Sequence, residues 1–400
     1  MLRRSRAGQL LRQPRRPDRR RRGVGVGRLP VNRGRSGHLV DVLVVGAGQA
    51  GLSTGRALQR VGLRFLILEA AEQPGGSWPR YYDSLTLFSP ARFSALPGLP
   101  LPGDPGRYPT RDEITAYLRD YAARFDLPVR TGARVVDVGW DDGSFTVTLA
   151  SGDQMTARAL IGASGGFGRP VMPALPGAPE YTGRLLHAAD YRRPEPYLGQ
   201  RVVVVGAGNT AVQVAVDLAG VAEVTLATRR PLALAPQRPL GVDVHYWTRW
   251  TGLETLPLGR RGTTTPRVLD DGRYAAALAA GRPDRRAMFT RLTAQGVQWA
   301  DGTLEDVDVV ILATGYRPDM DYLDRTAALD PAGWPVHCRG VSLTVPHVGY
   351  VGLPGQTGFA SATVRGVGAD AHRVVQRLTR ALRSDTPTPA TCRVPALAGR

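Results

Sequence analysis

Two glycine-rich segments have the residue types and spacing that can bind the phosphates of a dinucleotide. The first reads Gly46-Ala47-Gly48-Gln49-Ala50-Gly51, and the second reads Gly206-Ala207-Gly208-Asn209-Thr210-Ala211. In this pattern the first glycine permits a tight turn, the second lets the backbone approach a pyrophosphate, and the third small residue lets a helix pack closely on a sheet. The phosphates then lie at the helix N-terminus, where unpaired N–H groups and the helix dipole favour an anion.

Each glycine segment follows directly on an apolar run that predicts a buried strand. The two runs are Val42-Leu43-Val44-Val45 and Val202-Val203-Val204-Val205. A strand, a turn and a helix are therefore expected twice. Two such units in one chain imply two bound nucleotides, and a length of 400 residues suggests about two domains.

The residues that end the second strand of each unit differ in charge. The run Arg64-Phe65-Leu66-Ile67-Leu68 ends at Glu69, roughly twenty residues beyond the first glycines, where an acid can bond a ribose hydroxyl. In the second unit Arg229 and Arg230 stand at that place. A carboxylate repels a ribose 2′-phosphate, whereas guanidinium groups bind it bidentately. The second site is therefore expected to prefer NADP over NAD, the alternative being an exposed arginine pair.

The net charge of +18 is concentrated at the N-terminus, because residues 1–38 contain thirteen arginines and one acid. These arginines lie among Gly and Pro, which predicts a disordered arginine-rich tail over 1–38 rather than a specific nucleic-acid site. A second disordered tail is predicted over 381–400. No apolar run approaches the ~18 residues that a membrane helix needs, so no membrane span is predicted and a cytoplasmic location is expected.

The cysteines and histidines suggest no structural disulfide framework, no redox dithiol and no metal site. Cys338 and Cys392 are far apart and form no C-x-x-C, and the six histidines lack metal-ligand spacing. The run Gly162-Ala163-Ser164-Gly165-Gly166 satisfies the G-x-S-x-G pattern of a hydrolase nucleophile. That nucleophile requires a following helix, which Gly168-Arg169-Pro170 prevents, so a hydrolase is disfavoured.

Periodicity predicts three further elements. A helix is expected over 112–125 with Thr110 as its N-cap, and antiparallel strands over 134–138 and 145–149. A last helix is expected over 361–378, with Gly366 and Gly368 allowing it to approach a cofactor.

Four more segments point to one family. They are Gly75-Gly76-Ser77-Trp78 after the acid, Tyr181-x-Gly183-x-x-x-His187-x-x-x-Tyr191 between the glycine units, Ala313-Thr314-Gly315-Tyr316 after the second unit, and the proline-rich loop 82–100. Over about residues 39–378 the chain resembles the flavin-containing (class B) monooxygenase superfamily, and in particular its CzcO-like branch. The resemblance implies an α/β fold with two Rossmann-like domains, in which an NADPH domain (199–310) is inserted in a split FAD domain (39–198 and 311–380).

The resemblance also implies FAD and NADPH as cofactors and adds residues to the site. His187 is expected to couple cofactor binding to the active site. The residues expected near the flavin, besides the first glycine motif and Glu69, are Gly76, Trp78, Ser89, Val136, Ala163, Ser164, Gly165, Thr314, Gly315 and Leu353.

The activity implied by the resemblance is oxygen transfer. NADPH reduces FAD, and reduced flavin reacts with O₂ to form a C4a-(hydro)peroxyflavin that transfers one oxygen atom to a small organic substrate. N-oxygenating relatives carry an Asn where this chain has Phe88-Ser89. An NADPH oxidase or reductase without oxygenation, and a flavin-binding redox regulator of transport, therefore remain alternatives. Substrate identity and oligomeric state, a homodimer included, stay open.

Overall fold

The computed structural model describes residues 40–255 and 267–384. The α-helices are α1 (Gln49–Val61), α2 (Arg111–Arg124), α3 (Asn209–Leu218), α4 (Val244–Trp250), α5 (Arg273–Ala279) and α6 (Val367–Ser384). The strands are β1 (Val40–Val45), β2 (Phe65–Leu68), β3 (Val129–Arg130), β4 (Val135–Asp141), β5 (Ser144–Leu149), β6 (Gln154–Gly162), β7 (Arg169–Pro170), β8 (Arg184–His187), β9 (Arg201–Val205), β10 (Glu223–Thr228), β11 (Leu234–Pro236), β12 (Val268–Asp270), β13 (Asp284–Ala287), β14 (Arg291–Leu292), β15 (Gly296–Gln298), β16 (Leu304–Asp306), β17 (Val309–Leu312), β18 (Tyr316–Arg317), β19 (His337–Cys338), β20 (Val341–Ser342) and β21 (Val348–Tyr350).

The first sheet is built around β1, the apolar strand before the first glycine turn. Its order is β19-β20-β21-β6-β1-β2-β3, and β5 pairs with both β4 and β6. The strands β2, β1, β6 and β21 run parallel. Val42 and Val44 belong to one hydrophobic cluster and Leu43 and Val45 to another, so β1 is covered on both faces. This burial explains why β1 is a continuous apolar run.

The second sheet is parallel throughout and has the order β13-β10-β9-β17-β8. The chain leaves the first sheet after β6, forms the second sheet between residues 184 and 312, and returns to the first sheet at β19. The predicted α/β class with two Rossmann-like units is thereby confirmed. The predicted NADPH domain covers 199–310, whereas the second sheet also includes β8, which precedes residue 199, and β17, which extends beyond residue 310. The domain boundaries set from the sequence stay predictions.

Two predicted helices can be compared with the structure. Helix α2 begins at Arg111, and Thr110 forms a capping box with Glu113, as its position before the periodic run predicted. Helix α6 begins at Val367 rather than at Ser361, because the Ser361 hydroxyl accepts hydrogen bonds from the Thr357 and Gly358 amides and holds a turn there.

Gly366 and Gly368 lie in tight contact with protein atoms. A Cβ at Gly366 would collide with the carbonyl of Ala360, and one at Gly368 would collide with the ring of Pro97. Neither glycine lines the cavity described below. Both glycines therefore allow close approach to neighbouring protein atoms, and their approach to a cofactor stays a prediction.

Two further observations concern predictions made for the whole chain. Cys338 is disulfide-bonded, a bridge that the distant cysteines did not suggest, and Cys392 lies outside the described residues. The two predicted disordered tails lie outside them as well, apart from 381–384, which end α6. Within the described residues no helix combines the length and apolar character required to cross a membrane.

Candidate functional site

The first glycine turn joins β1 to α1 and can be formed only by glycine at two of its positions. Gly46 has φ of +102°, and a Cβ there would lie 2.7 Å from the carbonyl oxygen of Ala163. A Cβ at Gly51 would collide with the carbonyl of Gly46. Gly48 is the N-cap of α1, and no side chain caps that helix. The first N–H groups of α1 are therefore left for a ligand, as an anion site requires.

Glu69 ends β2 and faces this turn. Its side chain is 5% exposed, and its two carboxylate oxygens accept hydrogen bonds from the amides of Ala47, at 2.7 Å, and Ala71, at 3.0 Å. A carboxylate has about four acceptor positions, so these two bonds leave capacity for hydroxyl groups. Glu69 thus holds the glycine turn in place and still presents acceptors to a ligand.

A cavity of about 390 Å³ lies over the turn, within the size range of ligand pockets. We call it the first-turn cavity. Nine of the residues predicted for the cofactor site line it: Gly46, Gly48, Gln49, Ala50, Glu69, Gly76, Ala163, Ser164 and Gly165. Gly76 also has φ of +59°, and a Cβ there would lie 2.8 Å from the Cα of Gly48, so the two glycines form a narrow backbone cradle. The cradle and the uncapped helix suit a dinucleotide.

Seven of the residues predicted near the flavin lie outside the cavity lining, and two of them are Gly315, which contacts His187, and its neighbour Thr314. Trp78 donates from Nε1 to the side-chain oxygen of Gln49 at 2.9 Å and so supports a residue that does line the cavity. Gly51 packs α1 on the turn, and the Ser89 hydroxyl lies 2.8 Å from that of Ser94. At the remaining two positions the preceding residue lines the cavity instead, namely Val135 rather than Val136, which is 49% exposed, and Gly352 rather than Leu353.

The cavity also contains residues that motif analysis did not identify. Arg80 and Arg134 are exposed side chains on its lining and add positive charge beside the cradle. Asp319 and Tyr322 come from the return segment, more than 150 residues later in the chain. No motif marks these positions. Only the topology of the sheet brings them to the first turn.

Ser164 is not arranged as a hydrolase nucleophile. Its hydroxyl lies 3.0 Å from the carbonyl oxygen of Asp319 and 3.3 Å from the hydroxyl of Tyr322. The strand β6 ends at Gly162, and β7 follows at Arg169 with no intervening helix. The expectation against a hydrolase agrees with this geometry.

The second glycine turn, between β9 and α3, repeats the first. Gly206 has φ of +148°, and a Cβ there would lie 2.6 Å from the carbonyl oxygen of Ala313. Gly208 is the N-cap of α3, which again has no side-chain cap, and Asn209 and Thr210 form its first turn. Ala211 is fully buried, so a methyl group fits where the first motif has its third glycine.

Arg229 and Arg230 follow β10 directly and are both exposed. Neither guanidinium has a hydrogen bond or ion pair with another residue of 40–255 or 267–384. Both are therefore available to an anion beside the second turn.

The linker segment, residues 181–191, is held by contacts of the residues that form its pattern. The Tyr181 hydroxyl donates to the carbonyl of Val307 at 2.8 Å, and a Cβ at Gly183 would lie 2.7 Å from the carbonyl oxygen of Asp308. Tyr191 is fully buried and donates to the carboxylate of Asp217 at 2.6 Å. These contacts attach the linker to the second unit.

His187 ends β8 and is 2% exposed. Its Nδ1 accepts a hydrogen bond from the Ala189 amide at 3.0 Å, so the proton of the neutral ring lies on Nε2, which donates to the carbonyl of Gly315 at 3.1 Å. Burial lowers the pKa of His187. The ring also packs edge-on against Tyr316, with centroids 4.9 Å apart. His187 is thus a neutral connector between the linker and the turn that contains Thr314 and Gly315, neither of which lines the first-turn cavity.

Comparison with known proteins places this geometry in a family. The model of the pyridine nucleotide-disulphide oxidoreductase family matches residues 43–253. The chain belongs to this family. It is 34% identical to a CzcO-like oxidoreductase of Geobacillus kaustophilus, with 84% of this chain and 98% of the relative covered. The chain is an NADPH-dependent flavoprotein oxidoreductase, and its cofactors are FAD and NADPH, as the sequence predicted.

Solved structures and a plant enzyme extend the comparison. A flavin-containing monooxygenase from Stenotrophomonas maltophilia is 35% identical, with a TM-score of 0.76 over 85% of this chain and 98% of that chain. The indole-3-pyruvate monooxygenase YUCCA1 of Oryza sativa subsp. japonica is 29% identical over 73% of this chain and 80% of the relative. The predicted resemblance to class B flavin monooxygenases is confirmed.

Proposed function

We propose that the chain is a monooxygenase that uses NADPH and O₂ to insert one oxygen atom into a small organic substrate. The observation that carries the proposal is the placement of the complete monooxygenase linker pattern, with His187 bonded to Gly315, between two uncapped glycine turns. The absence of C-x-x-C from the sequence disfavours a thioredoxin-reductase-like role. The monooxygenase relatives support the proposal as well.

We assign FAD to the first-turn cavity. The N–H groups that begin α1 would bind its pyrophosphate, and Glu69 would accept hydrogen bonds from the adenosine ribose. The guanidinium groups of Arg80 and Arg134 on the lining would offset the phosphate charge. When bound, FAD accepts a hydride from NADPH and passes electrons to O₂. The chain itself orients the cofactor and limits its contact with water.

We assign NADPH to the second turn. The uncapped N-terminus of α3 would bind its pyrophosphate, and Arg229 and Arg230 would bind the 2′-phosphate. Within the described residues, no hydrogen bond or ring contact joins His187 to either glycine turn. Because it connects the linker to the turn after β17, its role would be to keep the two nucleotide units in a productive relative position.

One observation favours an NADPH oxidase as the second candidate. Phe88-Ser89 stands at about the place where N-oxygenating relatives carry an Asn; Phe88 is 41% exposed, and the Ser89 hydroxyl is paired with that of Ser94 at 2.8 Å. A phenyl ring cannot donate a hydrogen bond. Reduced cofactor in this chain would then return both electrons to O₂ as H₂O₂.

Product analysis separates the candidates. The FAD-loaded protein is mixed with NADPH in air, with a panel of small organic compounds that includes indole-3-pyruvate, the compound named for the YUCCA relatives. A monooxygenase consumes NADPH and O₂ with less than stoichiometric H₂O₂ and an oxygenated product. Stoichiometric H₂O₂ with every compound supports the oxidase, and no consumption of NADPH supports a regulator.

A further inference from the structure

A buried aspartate and histidine form a pair that neither nucleotide turn uses. Asp243 Oδ1 lies 2.7 Å from His245 Nδ1, and both side chains are 5% exposed. The same oxygen accepts the backbone N–H of His245 at 2.8 Å, because Asp243 is the N-cap of α4. The carboxylate therefore fixes both the backbone and the ring of His245.

The other oxygen of Asp243 is held as firmly. It accepts hydrogen bonds from the Tyr108 hydroxyl at 2.5 Å and from the Gln237 amide at 2.8 Å. Burial raises the pKa of Asp243, but the hydrogen bonds from His245, Tyr108 and Gln237 outweigh it and lower that pKa to about 2. Asp243 is therefore a carboxylate at neutral pH.

The ring of His245 has one nitrogen available for chemistry. Nδ1 carries a proton because it faces the carboxylate, so Nε2 of the neutral ring is an acceptor. Among the residues that the structure describes, Nε2 has no hydrogen-bond partner, and His245 as a whole is 4% exposed. Phe88 and Phe93 stack against the ring, with centroids 6.0 and 6.1 Å away.

The pair lies where the segment after β10 meets the first unit. Gln237 donates to the carbonyl of Phe88 at 2.9 Å, which joins this segment to the loop after the Gly76 turn. Glu254 accepts from Arg365 at 3.0 Å. Arg365 lies three residues beyond Ala362, which lines the first-turn cavity. The segment that carries the pair therefore contacts both the loop that contains Phe88 and the segment before α6, which contributes Ala362 to the cavity lining.

We propose that His245 is an acid–base residue that delivers the proton consumed in each turnover, and that Asp243 and Tyr108 position it. The balances are NADPH + H⁺ + O₂ → NADP⁺ + H₂O₂ and, with an oxygen acceptor S, NADPH + H⁺ + O₂ + S → NADP⁺ + SO + H₂O. Each consumes one proton. Protonated His245 releases its proton from Nε2, keeps Nδ1–H bonded to Asp243, and takes a new proton from water.

The inference rests on the oxidoreductase assignment and holds for either product. The titratable and charged groups around the pair come from several segments. They are Arg92 and Tyr108 from the first unit, Arg238, Asp243, Tyr246, Arg249 and Glu254 from the segment after β10, and Arg365 before α6. Of these groups only Asp243 contacts an imidazole nitrogen. If the pH profile of the rate loses one limb when His245 is replaced, that limb therefore reports the Asp243–His245 pair.

The first test uses His245→Ala, with His372→Ala, an exposed position on α6, as the control. We expect normal FAD content and a roughly 100-fold slower reoxidation by O₂ of the NADPH-reduced protein, since general acid–base catalysis contributes about 10²–10⁴-fold. Added imidazole should restore the rate, and pyrazole or 1,2,4-triazole, of similar size but lower basicity, should restore less. An unchanged rate, or equal rescue by all three azoles, would overturn the proposal and make the pair a packing contact.

The second test needs neither activity nor a stable deletion. In protein with ¹⁵N-labelled histidine, long-range ¹H–¹⁵N spectra report which ring nitrogen carries the proton, and His245→Gln identifies the His245 signals. We expect the Nδ1–H form at high pH, and protonation at Nε2 as the pH falls. The Nε2–H form, or a ring that never titrates, contradicts the proposal. A failure to find oxygenated product affects neither test, so the two proposals fail separately.

Discussion

Nε2 of His187 donates a hydrogen bond to the carbonyl oxygen of Gly315 across 3.1 Å, although 128 residues separate them in the chain. The bond closes the linker before the second unit onto the turn after that unit. Because Nδ1 of the same ring accepts the Ala189 amide, the imidazole is held at both nitrogens and cannot gain a proton without breaking a bond. His187 is therefore a fixed connection between the two places where the chain crosses from one sheet to the other.

His187→Ala should leave FAD content normal and slow one half-reaction. The loss of a buried hydrogen bond of about 1–1.5 kcal/mol corresponds to roughly ten-fold. Stopped-flow absorbance separates reduction of the flavin by NADPH from its reoxidation by O₂. His372→Ala is again the control. If both half-reactions keep their rates, His187 only packs the linker.

The two glycine turns should be separable by matched substitutions. Gly48→Val places a side chain where the α1 pyrophosphate site is proposed, and Gly208→Val does the same at α3, where a Cβ has open space in the protein itself. Gly48→Val should lose flavin absorbance, while Gly208→Val should keep FAD and lose saturation by NADPH. A yellow Gly48→Val protein with full flavin content would show that the first turn does not hold FAD.

Arg229 and Arg230 should determine the preference between nicotinamide cofactors. Loss of charged partners of a bound anion costs roughly 1.5–3 kcal/mol, or about ten- to a hundred-fold in affinity. The double change to Ala should raise KM for NADPH by about that factor and leave KM for NADH nearly unchanged. Arg325→Ala, at a side chain 77% exposed, serves as the control for lost positive charge. An equal loss for both cofactors would refute the 2′-phosphate assignment.

Asp243 should contribute stability that depends on pH. Its folded-state pKa of about 2 lies below the ordinary value of 3.8, so its contribution is present above about pH 4 and is lost as the pH falls toward 2. Asp243→Asn should therefore lower the free energy of unfolding at pH 7, by no more than about 2 kcal/mol, and lower it less at pH 3. Urea unfolding at both pH values measures this. A difference that does not change with pH would place the effect in packing alone.

Local patterns in the sequence identified the parts of the site that a single segment forms. The glycine turns, the acid at the end of β2 and the cap at Thr110 each depend on residues close in the chain, and each lies where the pattern predicted. The start of α6 was misplaced because Ser361 holds its own turn, which competes with the helix.

Contacts between segments that are distant in the chain could not be predicted from local sequence patterns. Tyr322 reaches the first-turn cavity because the chain returns to the first sheet after it has built the second. Phe88 contacts His245 because α4, more than 150 residues later in the chain, packs against the loop that contains Phe88. The spacing Asp243-x-His245 is common in any sequence and has no motif value. The burial of the two side chains and the four hydrogen bonds to the Asp243 carboxylate exist only in the folded chain.

The incorporation of oxygen from ¹⁸O₂ tests the central claim most directly. The FAD-loaded protein is supplied with NADPH, ¹⁸O₂ and an organic compound that increases NADPH consumption without increasing H₂O₂ formation. The molecular mass of the product is then measured by mass spectrometry. The monooxygenase account predicts one ¹⁸O atom in each product molecule and one NADPH consumed for each. Products without ¹⁸O, with all the consumed O₂ recovered as H₂O₂, would contradict it.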